Sequence, residues 1–241
     1  MNELGLKALA YARGDVMLGA ALSLASMAIW IAAMSLADIF TPFFRLSLSD
    51  GLSRTASALL TAISSSTIEK FFCGIFFNGL HEDLGRLPGC LLVGFFFSAP
   101  DFVRPADEII LTHADPSAGI PHLANAFHPF LDPVAILPEF VELFLIGVVS
   151  CYACERTATL YLSIGLHGGW IFGPKTVRVF CDYARQDLGW LFGSSDPKIV
   201  SGVATWLGIA LVGLIIHQQI LKRVGLVPDR LPTSDIIHGI E

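Results

Sequence analysis

This sequence has few charged residues. Asp, Glu, Lys and Arg make up 15% of its 241 residues, whereas about a quarter of a soluble globular protein is charged. Hydrophobic residues make up 54%, and the mean hydropathy is +0.65. This composition excludes disordered, collagen-like and fibrous chains and argues against a cytosolic enzyme. It is typical of a helical membrane protein that crosses the bilayer several times.

Positive charge and cysteine are scarce as well. The net charge is −6, so the chain has no basic footprint for nucleic acid, and we expect no nucleic-acid partner. Five cysteines make no disulfide framework. Cys151 and Cys154 form a lone CxxC motif inside an apolar stretch. We interpret them as small buried residues, because a structural zinc site needs four ligands.

Long apolar stretches are abundant. Residues 16–37 carry no charge over 22 residues, which is enough for a helix to cross a hydrocarbon core of about 30 Å. The other five stretches cover residues 55–80, 87–100, 139–154, 157–173 and 199–221. None alternates with the period of two typical of β-strands. The sequence therefore predicts an all-α, polytopic integral membrane bundle of about six embedded helices. We expect the second helix to run unbroken from about Arg54 to Leu84.

The chain divides into three segments around these stretches. Residues 1–54 hold the first transmembrane helix, residues 55–173 form a helical core, and residues 174–241 hold a loop, the last transmembrane helix and a polar tail. The core includes a long loop at 103–138, rich in Pro, Asp and His. We expect a multi-pass membrane protein whose first partner is the lipid bilayer.

Charged residues inside apolar stretches are the first candidates for function. A carboxylate at the centre of a span costs several kcal/mol unless it faces a cavity or a partner. Glu69 lies in the second stretch, directly before Lys70. Adjacent helix residues point about 100° apart, so these two do not face each other. The alternative to a functional role is a structural ion pair within the bundle.

Two further residues stand in a similar setting. Asp101 lies near the end of the segment GFFFSAPDF, where proline indicates the end of a helix. His167 lies among the glycines of SIGLHGGW, which indicate that the backbone closely approaches a neighbouring helix or a ligand. The alternatives are an interfacial carboxylate and a structural histidine. We expect Glu69, Asp101 and His167 to come from three helices and to line one interior cavity.

At these three places the chain resembles the CPBP family of intramembrane proteases. That family includes type II CAAX prenyl endopeptidases and bacteriocin-processing proteins. It carries three motifs on core helices: Glu-Glu-x-x-x-Arg followed by Gly, then Phe-x-x-x-His, then His-x-x-x-Asn. Here IEKFFCG (68–74) resembles the first motif, FSAPD (97–101) the second and HGGWI (167–171) the third. The order and spacing fit, and the resemblance covers roughly residues 55–173.

The first motif departs from the family pattern. When Gly74 is aligned, Ile68 takes the place of the first Glu, which the family uses in catalysis, and Glu69 takes the place of the second. Cys73 replaces the Arg. A shift by one residue would make Glu69 the first Glu and Lys70 the second, but Cys73 and Gly74 would then lose their register. We prefer the unshifted frame.

The other two motifs are also changed. Asp101 stands where the family has its first His, and Ile171 stands where it has Asn, whereas His167 matches the pattern. The remaining positions of the motifs are expected to line the cavity; they are Ile68, Cys73, Phe97, Trp170 and Ile171.

The resemblance implies a division of labour for peptide hydrolysis. In the family, a Glu and a His activate water, while the other His and the Asn hold the oxyanion. Glu69 and His167 are therefore the candidate pair that would activate water. Asp101 would repel an oxyanion if it were ionised and would donate to one only if burial kept it protonated. The resemblance leaves zinc open as a cofactor, but the ligand spacing does not support it, and we assign no metal ligand.

Two functions follow from the resemblance. The first is a divergent intramembrane endopeptidase with impaired activity, acting on prenylated or other membrane-embedded peptides. The alternative is a catalytically inactive pseudoprotease that binds a membrane peptide or a protein partner in the inherited cavity. A transporter is less favoured, since it predicts paired ionisable residues and a repeat relation between the two halves.

Overall fold

A computed structural model describes residues 3–42, 46–103, 119–157, 159–184, 187–192 and 202–225. Over these ranges the helices are α1 (Glu3–Leu36), α2 (Leu48–Leu84), α3 (Arg86–Ser98), α4 (Gly119–Ala126), α5 (Pro133–Thr157), α6 (Tyr161–Phe180), α7 (Gly189–Phe192) and α8 (Val203–Gly225). Short 3-10 helices at Ala99–Phe102 and His128–Leu131 follow α3 and α4. Strands β1 (Phe40–Pro42) and β2 (Cys181–Tyr183) form one antiparallel pair. The all-α prediction is confirmed, with this small strand pair added to it.

The six apolar stretches correspond to α1, α2, α3, α5, α6 and α8. Helix α2 is a single element, as expected, and begins at Leu48 instead of Arg54. Within the described residues, Tyr11–Leu36 and Pro133–Thr157 are long and apolar enough to cross a membrane. Val203–Gln219 is a shorter apolar helix.

Helices α1 and α6 run parallel and in close contact. A Cβ atom on Gly165 would overlap the carbonyl oxygen of Val16, and one on Gly169 would overlap the Ser23 side chain. Gly173 continues the same spacing of four residues, so the contact face of α6 is a stripe of small residues. The glycines near His167 therefore serve close approach to a neighbouring helix.

Helix α2 packs on α6 from another side and runs antiparallel to it. A Cβ atom on Gly51 would lie 3.3 Å from Phe180, and one on Gly74 would lie 3.1 Å from Leu160. Helix α6 thus lies between α1 and α2. Its buried hydrophobic residues Leu162, Leu166 and Trp170 belong to the main hydrophobic core.

Helices α3 and α5 are also antiparallel. A Cβ atom on Gly147 would lie 2.9 Å from the Cα atom of Gly94. At the other end of the pair, Nε of Arg86 lies 3.2 Å from Oε1 of Glu155. Cys151, expected to be a buried small residue, is 4% exposed and packs in a small cluster between these two helices.

Helix α5 runs parallel to α8. The indole Nε1 of Trp206 donates to the carbonyl oxygen of Pro138 at 3.3 Å. Further along both helices, the hydroxyl of Tyr152 lies 2.5 Å from Nδ1 of His217. These two contacts keep the same order in both helices, which fixes their relative direction.

Much of the connector predicted as a loop at 103–138 is helical where the structure describes it. Helix α4, a 3-10 helix and the start of α5 occupy most of residues 119–138. Pro121 and Pro133 lie in first helical turns, where the missing N–H leaves no hydrogen bond unmade. Of the loop histidines, His128 is exposed. His113 and the side chain of His122 lie outside the described residues.

Candidate functional site

Glu69 and His167 meet across the contact of α2 with α6. The distance from Nε2 of His167 to Oε2 of Glu69 is 3.2 Å. The His167 side chain is 6% exposed and the Glu69 side chain 43%. A buried imidazole therefore holds a carboxylate that stays open on one side. The antiparallel packing of the two helices places both residues at the same level of the bundle.

Two neighbours fix the position of His167. A Cβ atom on Gly168 would lie 3.3 Å from the hydroxyl of Ser66, so the glycine lets the backbone of α6 approach α2 just before Glu69. From α3, the ring of Phe97 lies edge-on to the imidazole, with centroids 5.1 Å apart and planes at 79°. The imidazole is thus held by α2 on one side and α3 on the other.

Ile68, expected to line the cavity, is 58% exposed. One residue step turns a side chain by about 100° around a helix, so Ile68 and Glu69 cannot both face α6. The structure brings Glu69, and not Ile68, onto His167. The side chain of Cys73, expected one turn further along α2, lies outside the described residues.

Asp101 lies in the 3-10 helix Ala99–Phe102, which continues α3. Its side chain is exposed, and it stands about one helical turn beyond the half-buried Phe97. The three candidate residues therefore come from α2, from the extension of α3 and from α6. The described environment of Asp101 does not supply the burial on which a donor role would depend.

Trp170 and Ile171 follow His167 on α6. Trp170 is 6% exposed, and its indole Nε1 donates to the hydroxyl of Ser26 on α1 at 3.4 Å. Its polar atom therefore points to α1. Ile171 lies one turn after His167, on the same side of the helix, and is half-buried. An apolar side chain occupies that position.

The described donor atoms around Glu69 and His167 do not form a metal site. Among the residues that the structure describes, no group of three or more His, Cys, Asp or Glu side chains is arranged to hold a metal ion. A catalytic zinc takes three protein ligands and a water. Glu69 and His167 supply two donors, and these contact each other. The described residues do not fit a zinc ion.

Glu142 is a further candidate, which the motifs did not single out. It lies on α5, is 4% exposed, and its Oε2 atom has no hydrogen-bond partner within the described part of the chain. The signal was present, because an acidic residue in an apolar stretch is the pattern that singled out Glu69.

A separate apolar pocket lies between α1, α6 and α8. Its lining residues are Met27, Trp30, Ile31, Met34, Phe40, Pro174, Val177, Arg178 and Thr205. It begins about two turns beyond His167 along α6. Neither Glu69 nor His167 lines it, so the carboxylate–imidazole pair lies outside this pocket.

The model of the family described as type II CAAX prenyl endopeptidase Rce1-like matches residues 43–173, which is more than half of the chain. No curated protein and no solved structure shows a significant match. The resemblance drawn from the three motifs is confirmed. The chain belongs to the Rce1-like family of type II CAAX prenyl endopeptidases, a family of membrane-embedded proteins.

Proposed function

We propose that this chain is a divergent intramembrane endopeptidase that slowly hydrolyses prenylated or other membrane-embedded peptides. The observation that carries this proposal is the 3.2 Å contact between Glu69 and His167. Peptide hydrolysis needs a base beside the attacking water. A carboxylate held by an imidazole and open on one side meets that need.

The exposure of the two side chains assigns their roles. Glu69, at 43% exposed, can reach a water, whereas His167, at 6%, cannot. Glu69 accepts a proton from the water, whose oxygen then bonds to the carbonyl carbon of the scissile peptide. As the carbon–nitrogen bond breaks, the same proton passes to the leaving nitrogen. His167 holds the carboxylate by donating from Nε2 to Oε2.

The substituted motif positions account for slow hydrolysis. Ile171 has no hydrogen bond to donate to an oxyanion, and Asp101 is exposed at the end of α3. The loss of one oxyanion donor typically lowers the rate by about 10²–10³. We therefore expect turnover well below that of a member with intact motifs.

The packing supports a multi-pass arrangement with six embedded helices. α5 and α6 are joined by three residues, and so short a connection is typical of antiparallel neighbours. The helix pairs described above have either parallel or antiparallel directions. Combined with the antiparallel α5 and α6, they imply that the direction alternates along the chain through α1, α2, α3, α5, α6 and α8. Residues 55–173 form the peptidase core in this arrangement, with 1–54 and 174–241 as flanking segments.

The alternative is a pseudoprotease that binds a membrane peptide or protein without cleaving it. The substitution at position 68 favours it, because in the preferred frame an isoleucine stands where the family has its catalytic Glu. The two functions predict different outcomes in one assay.

The assay uses the purified full chain in liposomes with a fluorogenic prenylated peptide. Glu69→Gln keeps the size of the side chain and removes the base, and we expect turnover to fall by about 10²–10⁴. Glu139→Gln on α5 makes the same chemical change elsewhere and should leave turnover unchanged. Turnover that survives Glu69→Gln contradicts the proposed mechanism. Peptide binding with no turnover in the parent chain identifies a pseudoprotease.

A further inference from the structure

An uncharged apolar segment lies outside the candidate spans. Residues 119–131, which comprise α4 and the 3-10 helix after it, contain no Asp, Glu, Lys or Arg. Large apolar side chains stand exposed along it; they are Ile120, Leu123, Phe127, Phe130 and Leu131. Leu131 is 79% exposed and Ile120 is 74%. An apolar surface of this kind needs a partner other than water.

The bilayer is the partner that the surroundings favour. Val134 and Leu137, on the first turns of α5, are 79% and 53% exposed. They belong to Pro133–Thr157, a candidate membrane span of a chain whose family is membrane-embedded. The apolar surface of residues 119–131 thus continues, beyond the exposed Asp132, into the surface of α5 that lipid would cover.

Helix α4 also has a polar side. Asn125 is exposed and stands two residues, or about 200° of helix rotation, from Leu123. A short helix with one apolar and one polar side is suited to lie in the plane of the interface. Leu123 then faces acyl chains while Asn125 faces headgroups and water.

Aromatic contacts fasten this segment to the bundle. The ring of Phe130 packs on that of Phe102 with centroids 6.3 Å apart, and Phe102 packs on Phe140 of α5 at 6.0 Å. Phe102 directly follows Asp101. The depth of the segment in the membrane is therefore tied to the end of α3.

We propose that residues 119–131 form an interfacial membrane anchor, with Ile120, Leu123 and Leu131 among the lipid acyl chains and Asn125 toward water. This inference rests on family membership and on the exposed apolar surface. It does not depend on the proposed peptidase activity.

Photo-crosslinking in the full chain tests the anchor. A benzoylphenylalanine is encoded at Leu123 in one variant and at Asn125 in another, and both variants are reconstituted in phosphatidylcholine liposomes and irradiated. Intact-mass spectrometry should show an added phospholipid mass in the variant at 123 and no such adduct in the variant at 125. The same amino acid at Leu211 of α8, which is 54% exposed, shows that a lipid adduct is detectable.

Several results would overturn the proposal. These are a lipid adduct at 211 without one at 123, equal adducts at 123 and 125, or a cross-linked mass of two chains, which would mean that a second copy covers the surface. Because the large side chain at 123 can disturb the fold, a variant at Leu131 carries the same expectation. A thermal unfolding curve shows whether each variant is folded. Absence of peptidase turnover has no bearing on this result.

Discussion

The one-residue step between Ile68 and Glu69 determines which group meets the imidazole of His167. Ile68 is 58% exposed, whereas Glu69 lies 3.2 Å from His167. A helix turns about 100° per residue, so moving a carboxylate from one position to the other moves it off the site. Glu69 is therefore the carboxylate that faces α6, and this holds in either alignment of the first motif.

Restoring the lost oxyanion donor should raise activity, whereas restoring the first Glu should not. Ile171→Asn places an amide one turn after His167, on the side of α6 that the imidazole shares. We expect peptidase turnover to rise by up to about 10²-fold, within the range that one donor contributes. The measurement is the initial rate on the fluorogenic prenylated peptide in liposomes.

Ile68→Glu is the matched control, because it adds a carboxylate on a side chain that is 58% exposed. It should leave turnover near the parental rate. If Ile68→Glu activates the chain and Ile171→Asn does not, then α2 is rotated relative to the structure, and the assignment of Glu69 as base is wrong.

Glu142 offers a prediction about stability. It is 4% exposed, and its Oε2 atom has no hydrogen-bond partner among the described residues. A buried polar group without a partner destabilises a fold by about 1–3 kcal/mol. Glu142→Met keeps the volume and removes the carboxyl, so the free energy of unfolding should rise by a similar amount. Denaturant unfolding in detergent measures it.

Glu142→Gln is the comparison, since it keeps a buried polar group and should gain little. A clear loss of stability in Glu142→Met would mean that the carboxyl is bonded in the folded protein.

At the residue scale, the sequence identified Glu69 and His167 because ionisable groups in apolar helices stand out. It did not show that Asp101 is exposed, nor which of Ile68 and Glu69 faces inward. Both depend on how far α2 and α3 are rotated about their axes. That rotation is set by contacts such as Gly168 with Ser66, and no local pattern records them.

At the scale of elements, the closest contact is that between the parallel helices α1 and α6. Small residues allow the two backbones to approach, which is the usual way that helices associate in lipid. Gly165 meets the backbone of α1, whereas Gly168 meets the side chain of Ser66 on α2. The two glycines therefore differ in what a larger side chain would displace.

Gly165→Ala should separate α1 from α6. Its Cβ atom would overlap the carbonyl oxygen of Val16 and lie 2.9 Å from the amide nitrogen of Ala20, and neither backbone atom can move aside alone. Overpacking of this kind destabilises a protein by about 1–3 kcal/mol, and we expect the upper end. Thermal unfolding in detergent should show a clear fall in Tm.

Gly168→Ala on the same helix is the matched control. Its Cβ atom would lie 3.3 Å from the Ser66 hydroxyl, so a side-chain atom, and not a backbone atom, would have to shift by a few tenths of an ångström. Its Tm should stay near that of the parent. Equal losses in both variants would contradict the idea that backbone contact with α1 is what requires glycine at 165.

Element positions were largely predictable, because long apolar stretches determine helices in a membrane protein. The connector at 103–138 was harder, since its prolines suggested a loop although Pro121 and Pro133 sit where helices tolerate them. The strands β1 and β2 were not foreseen. Each strand has three residues, and the paired residues are 139 to 143 positions apart in the sequence, so no periodicity could reveal them.

At the scale of the whole molecule, the β1–β2 strand pair and the α1–α6 helix contact both indicate that α1 and α6 run in the same direction. β1 follows α1 and β2 follows α6. Their pairing places the ends of both helices on one face of the bundle. The parallel contact of α1 with α6 requires the same. An arrangement of six alternating helices satisfies both observations.

The sidedness of the connectors tests this arrangement. With six spans, the two chain ends lie on one side of the membrane, and insertions within residues 104–118 and within 193–201 both lie on the other. If only α1 and α5 cross, as the longest apolar helices, an insertion within 193–201 lies on the same side as the chain ends. We expect an epitope in each connector to be labelled from the same side of sealed membrane vesicles, and an epitope after Glu241 from the opposite side. An insertion at 193–201 labelled together with the C-terminal epitope would mean that α8 does not cross the membrane, and it would contradict the arrangement of six alternating spans.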